Sequence, residues 1–243
     1  MVLVRLSALT IKNIDVKGNQ VVEAADIENV ADAQLAGSYL FLFPKKSILV
    51  YPHDAIQTAL MKQFIRFSSV SVFRESPTSL GINVIERKPA ALWCTDMASS
   101  TCYFMDGTGY VFAEAPDFSG DTYVVYTGVI DPSQALGSDY LSPDIFKQIQ
   151  ASIDSLNILG FKTAKVQADA EGTYTFSSAN GLSIIMNDRQ PFSTSLDTLQ
   201  TILQSHPLAY FSSIDLRFGN KVFYRTENAT STTSTSTPKK LKP

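Results

Sequence analysis

The chain has 243 residues, of which 44% are hydrophobic and 18% charged, enough for one large domain or two small ones. Its net charge is −3, and its basic residues are scattered except for Lys239, Lys240 and Lys242 near the end. Binding to nucleic acid or to anionic lipid through overall charge is therefore not expected. The 15 Phe and 10 Tyr residues favour a fold rich in β-strands.

The first part of the chain predicts elements in the order β-α-α-β-β. Residues 11–16 predict a short strand, and apolar residues at helical spacing predict a helix over residues 24–35. A second helical pattern follows Pro52. Residues 70–75 and 80–86 alternate between apolar and polar side chains, which predicts a hairpin with one dry and one wet face.

Residues 86–89, Glu-Arg-Lys-Pro, follow this hairpin. Because proline cannot donate to a sheet ladder, they predict a strand end with its charged side chains in water. A partner-binding surface between two domains is the alternative interpretation.

The rest of the chain predicts mostly β-strands, interrupted by helices over residues 143–159 and 195–205. The predicted strands are residues 90–94, 102–105, 110–112, 122–126, 165–168, 173–177, 182–186, 214–218 and 222–225. Residues 226–243 are rich in Ser and Thr and have almost no apolar content, so they are predicted to be disordered. The fold class is therefore α+β: a β-α-α-β-β domain followed by a mainly antiparallel β-domain with two packed helices.

Cys94 and Cys102 fall on neighbouring predicted strands. If those strands form a hairpin, the two cysteines face each other within reach of a disulfide. A structural disulfide and two buried free thiols remain the alternatives. Two thiols without a nearby His or a second Cys pair disfavour a metal site, and the spacing is not the C-x-x-C of redox enzymes.

The last predicted hairpin is the strongest candidate for a binding site. Apolar and charged residues alternate along 214–218, and a short strand precedes the Ser/Thr-rich tail, so the hairpin is expected at the edge of the sheet. An edge offers unpaired backbone groups to which an extended partner can add as a further strand. A core strand covered on both sides is the alternative. The candidate partner-binding residues are Ser213, Ile214, Leu216, Phe218, Val222, Phe223 and Tyr224.

Four motifs in this order resemble the FtsQ/DivIB family of bacterial cell-division proteins. They are the Ile-x-Val-x-Gly-Asn turn at 14–19, the Ser-Pro-Thr to Leu-Trp stretch at 76–93, Tyr-Phe-Met-Asp-Gly-Thr-Gly-Tyr-Val-Phe at 103–112, and Ile-Asp-Leu-Arg-Phe at 214–218. The resemblance implies a POTRA domain at 10–87 and an FtsQ-type β-domain at 88–225. It also implies that residues 1–9 are the remnant of a segment beside a membrane helix, and that this helix is missing from the sequence. Residues 226–243 form the tail.

The resemblance further implies a non-enzymatic divisome scaffold in the cell membrane, with this region on the extracytoplasmic side at the division site. It would bind FtsB/FtsL-type partners by strand addition, contact other divisome proteins through the POTRA domain, and help control septal wall synthesis. No cofactor or metal is expected.

Two other hypotheses remain. A POTRA-containing chaperone for envelope protein transport would carry tandem POTRA repeats or barrel strands. A wall-active enzyme would need catalytic groups gathered in a cleft, and no G-x-S-x-G, P-loop, H-E-x-x-H or S-x-x-K motif occurs.

Overall fold

The computed structural model describes residues 7–40, 43–96, 101–117, 122–219, 221–226 and 239–241. The chain divides into two compact units, residues 1–88 and 89–243. No helix within the described ranges is long and apolar enough to cross a membrane. Most of the predicted segment 1–9 lies outside the described residues, and Ser7–Leu9 form a single 3-10 turn.

The first unit follows the predicted β-α-α-β-β order. Its elements are β1 (Asn13–Lys17), α1 (Ala24–Leu35), β2 (Ser38–Tyr39), β3 (Phe43–Pro44), α2 (His53–Gln63), β4 (Phe67–Ser76) and β5 (Ser79–Glu86). The short β2–β3 hairpin is the element that the sequence did not predict. Strands of two residues carry too little alternation to be recognised in a sequence pattern.

The main sheet of this unit has the order β1-β5-β4, with β1 parallel and β4 antiparallel to β5. Apolar residues spaced along α1 and α2 pack against one face of this sheet. The core formed in this way includes Ile27, Leu35, Ile56, Leu60, Val72, Leu80 and Ile82, each at most 3% exposed. The predicted dry face of the hairpin is therefore the face beneath the helices.

The turn after β1 requires a glycine. Gly18 has a φ of +87°, a region that residues with a Cβ atom rarely adopt. A Cβ atom at this position would also overlap the carbonyl oxygen of Val84 in β5. This explains why the strand-turn motif carries Gly at this point.

Glu86, the last residue of β5, holds the loop that follows this turn. Its carboxylate accepts hydrogen bonds from the backbone N–H groups of Gln20, Val21 and Val22 at 2.7, 3.0 and 3.1 Å. Burial opposes ionisation of Glu86, but these hydrogen bonds outweigh it and place the pKa of Glu86 below its usual value. The prediction that the charges of residues 86–89 lie in water is therefore wrong for Glu86, which is 9% exposed.

In the second unit, helices interrupt a series of strands. Its elements are β6 (Ala91–Cys94), β7 (Cys102–Met105), β8 (Val111–Ala115), β9 (Val125–Thr127), α3 (Pro143–Ile158), β10 (Thr163–Ala168), β11 (Thr173–Ser178), β12 (Ser183–Asn187), α4 (Phe192–Leu203), β13 (Phe211–Phe218), β14 (Lys221–Thr226) and β15 (Lys239–Leu241). The strands form one sheet in the order β15-β14-β13-β12-β11-β10-β9-β6-β7-β8.

This sheet is mainly antiparallel, as predicted, but it contains parallel pairs. β6 and β10 both run parallel to β9, and β12 runs parallel to β13. Each parallel pair is joined through a longer connection, and the β9–β10 and β12–β13 connections contain α3 and α4. Strand patterns in a sequence show alternation but not the order of strands, so these pairs could not be predicted.

Both helices contribute to the core on one face of the sheet. Ile149 and Leu156 of α3 and Leu199 of α4 are fully buried in the same cluster as Trp93 and Phe176 of the sheet. The opposite face near the start of the unit has a smaller cluster around Leu92, Cys94 and Ala115. The α+β class predicted from the sequence is confirmed.

Candidate partner-binding site

The terminal hairpin of β13 and β14 is the candidate site, and its sequence alternation separates two faces. Ile214 and Leu216 of β13 and Val222 of β14 are at most 4% exposed and belong to the core beneath α3 and α4. Tyr224 also packs inward, because its ring meets that of Phe211 edge to face at 5.3 Å. The inner face of the hairpin is therefore part of the hydrophobic core.

The outer face carries a groove of about 440 Å³. The groove is lined by Ile185, Ser213, Asp215, Arg217, Phe218, Phe223, Tyr224 and Arg225. Its aromatic wall is formed by Phe218, which is 50% exposed, and Phe223, with ring centroids 5.1 Å apart and nearly perpendicular planes. Exposed aromatic rings beside a strand edge are typical of surfaces that bind another protein chain.

A fixed ion pair forms the charged part of this groove. Arg217 donates from Nε and Nη2 to the two carboxylate oxygens of Asp215 at 2.9 and 2.7 Å. The backbone N–H of Arg217 also donates to Asp215 Oδ1, at the irregularity in the register between β13 and β14. The hydrogen bond to Asp215 raises the pKa of Arg217. The guanidinium lies 5.5 Å from the centre of the Phe218 ring, so its charge is held at the aromatic wall.

The outer strand next to β14 comes from the tail of the chain itself. β15 runs antiparallel to β14, with Leu241 opposite Val222 and Lys239 opposite Tyr224. The sequence predicted disorder over residues 226–243 and an open edge at β14. The structure instead assigns Thr226 to β14 and residues 239–241 to β15, which occupies that edge, because backbone pairing on an existing edge needs no apolar side chains. The rest of that predicted tail, 227–238 and 242–243, lies outside the described residues.

The structure places the predicted site residues in two different environments. Ser213, Phe218 and Phe223 line the outer groove, with Tyr224 at its border. Ile214, Leu216 and Val222 face the core, so their side chains are not available to a partner.

Sequence reasoning missed the other groove residues, Ile185, Asp215, Arg217 and Arg225. The alternation of β13 and β14 could have identified the last three, since residues of the opposite parity must face away from the core. Ile185 lies on β12, parallel to β13, and its place in the groove depends on that parallel pairing.

Cys94 and Cys102 form a disulfide in the β6–β7 hairpin, at directly opposite positions. Five strands separate β6 from β14 in the order of the sheet, so the bridge lies at the other end of the sheet from the groove. Neither histidine belongs to the groove. His53 contacts Asp54 through Nδ1 at 2.7 Å, and His206 packs against Tyr210. Within the described residues no group of three or more Cys, His, Asp or Glu side chains could hold a metal ion.

Comparison with known families gives the first unit an assignment. Residues 9–87 match the family described as the POTRA domain, FtsQ-type. The first unit is therefore a POTRA domain. This domain is of the FtsQ type, which confirms the resemblance to the FtsQ/DivIB family. Among curated proteins no match to the chain was found.

The FtsQ-type assignment carries a general function. It indicates a role in cell division and interactions with other proteins of the divisome. The FtsQ-type POTRA family consists of non-catalytic scaffolds, and its domain implies a membrane-associated protein of the division site. This assignment favours the division hypothesis over the chaperone and enzyme hypotheses.

Proposed function

We propose that this protein is a divisome scaffold that binds an FtsB/FtsL-type pair by strand addition at the β14 edge and thereby helps control septal wall synthesis. The observation that carries the proposal is the outer groove of the terminal hairpin, where the exposed ring of Phe218 and the half-buried ring of Phe223 lie beside a strand edge. That edge already accepts a strand of this chain in antiparallel register, which shows that its backbone groups can pair with an extended segment.

The aromatic wall supplies the specific part of the interaction. Backbone pairing alone would accept any extended segment, whereas side chains of the partner strand that enter the groove can select among them. Phe218 and Phe223 offer apolar surface for such a side chain, and Arg217 offers a charge held in place by Asp215. In this proposal the domain boundaries predicted from the sequence separate a POTRA domain, which contacts other divisome proteins, from a β-domain that binds the pair.

The membrane part of the proposal follows from the family. We propose that the protein acts at the division septum with both units on the extracytoplasmic side of the cell membrane, held by a single N-terminal helix. The disulfide between Cys94 and Cys102 supports this side, because such bonds persist in oxidising compartments.

The test uses charge substitutions on the outer face alone. Phe218→Glu and Phe223→Glu should each weaken binding of the purified extracytoplasmic part of the FtsB/FtsL-type pair from the same genome by about 30-fold or more, as for interface hot spots. Isothermal titration calorimetry measures the affinity, and far-UV circular dichroism should remain that of the wild type. Val222→Pro and Tyr224→Glu are less suitable, because both side chains pack inward and their loss would disturb the core.

Ile158→Glu is the matched control. Ile158 ends α3 and is 86% exposed, so the same change from an apolar residue to Glu occurs in the same unit away from the hairpin. Binding should be unchanged in this variant. Wild-type affinity in both Phe variants would overturn the proposed site, and an equal loss in Ile158→Glu would show that the charge acts nonspecifically.

A further inference from the structure

We propose that β15 is a built-in competitor that occupies the β14 edge and must leave before a partner strand can bind there. This inference rests on the proposed function. Lys239, Lys240 and Leu241 lie opposite Tyr224, Phe223 and Val222, beside the aromatic groove. A strand edge offers one row of N–H and C=O groups, so one strand at a time can pair with it.

β15 is a short strand, and its pairing with β14 covers three residues. By contrast, β14 pairs with β13 over most of its length, from Lys221 opposite Phe218 to Thr226 opposite Phe211. A segment held by so few backbone hydrogen bonds can leave without unfolding the hairpin beneath it, because local opening requires the loss of those bonds alone. β15 is therefore the strand of this sheet most easily exchanged for another.

The connection to β14 explains how so weak a strand can hold the edge. Residues 227–238 join β14 to β15, and most of them are Ser or Thr. A strand of the same chain competes for the edge intramolecularly, whereas a partner must supply its own concentration. The tail therefore raises the partner concentration that is needed to occupy the β14 edge. Segments that pair weakly with β14 cannot displace β15, so the tail favours a strongly pairing partner.

Replacement of both Lys240 and Leu241 by Pro in the full chain tests the proposal. Alternate N–H groups of a strand face its neighbour, so one of these two prolines removes a donor to β14. The matched control is Lys240→Ala with Leu241→Ala, which keeps both N–H groups. Among Val222, Phe223 and Tyr224, the amides whose N–H groups face β15 should exchange faster in the free proline variant than in the alanine variant, whereas the amides that face β13 should stay protected.

The second measurement is the affinity of both variants for the FtsB/FtsL-type pair. We expect the proline variant to bind about tenfold more tightly than the alanine variant, which corresponds to an edge that is open about one-tenth of the time when β15 is intact. Equal exchange rates would show that β15 does not occupy the edge. Faster exchange with unchanged affinity would show that the tail does not compete, and weaker binding would show that the partner adds onto β15 instead of displacing it.

The two readouts separate this inference from the proposed function. If neither variant nor the wild type binds the pair, the proposed function fails and competition with that partner fails with it. The exchange rates then still decide whether β15 covers β14. If all forms bind equally and Phe223→Glu abolishes binding, the proposed function stands and the competition is wrong.

Discussion

The two units present strand edges of opposite character. In the first unit, β4 lies at one side of the sheet, and its exposed positions carry Ser68, Ser69, Ser71, Arg74 and Glu75. In the second unit, the terminal hairpin exposes the aromatic ring of Phe218, and β15 of the same chain pairs with its outer strand.

Polar and charged side chains on an edge strand discourage pairing with other chains. β4 is thus protected by its side chains, whereas β14 is protected by a strand that can be removed. The side chains of β4 oppose pairing at all times, which suits an edge that has no partner strand. β14 becomes able to pair when β15 leaves, which suits an edge that binds a specific partner. This difference is why we place the binding site on β14 and not on the POTRA sheet.

The largest effect on stability is expected on the inner face of the terminal hairpin. Ile214→Ala removes a fully buried side chain and should lower the free energy of unfolding by about 2–5 kcal/mol. Because Ile214 faces the core, the folded variant should still bind the FtsB/FtsL-type pair with close to wild-type affinity. Urea denaturation and calorimetry measure the two quantities. A large loss of affinity in the folded variant would mean that the two faces of the hairpin do not act separately.

A smaller effect is expected from the buried carboxylate of the first unit. Glu86→Gln should lower the free energy of unfolding by about 1–3 kcal/mol at pH 7. The neutral amide oxygen of Gln accepts hydrogen bonds from the three backbone N–H groups more weakly than the carboxylate does. The folded state holds the pKa of Glu86 below its unfolded value near 4.5, so this stability is present above pH 4.5 and is lost as the pH falls through the folded pKa. The difference between wild type and variant should therefore shrink in acid.

Glu75→Gln is the control for this measurement. Glu75 forms an ion pair with Lys17 at 2.7 Å, but its carboxylate lies at the surface, where water and salt screen the interaction. Stability should change little at any pH. A pH-independent difference between wild type and Glu86→Gln would contradict the role given to its charge, and strand binding should be unaffected in both variants.

Much of the fold could be predicted from local patterns. Residues 24–35 form α1 as predicted, since their apolar side chains recur at helical spacing and pack on one face. The alternation in 214–218 correctly separates Ile214 and Leu216 from Asp215 and Arg217. Such patterns report which side of an element is buried, and burial dominates the choice of local structure.

The remaining features depend on contacts distant in sequence. The loop at residues 20–22 is held by Glu86, more than 60 residues further along, and no local pattern connects them. The parallel pairing of β12 with β13 depends on the path of the chain through α4. β15 forms because β14 offers an edge, although its own sequence lacks the alternation of a strand. The sequence therefore indicated the hairpin that carries the groove, but the residues that line its outer face and the strand that pairs with β14 could be identified only from the structure.

Hydrogen exchange in the presence of the FtsB/FtsL-type pair tests the central claim most directly. In the variant with Lys240→Pro and Leu241→Pro, addition of the pair should slow exchange at the amides of residues 222–224 that face away from β13 and leave β4 unchanged. Protection of those amides would show that the partner pairs with β14. Protection of β4 instead, or binding with no change at residues 222–224, would contradict strand addition at the terminal hairpin.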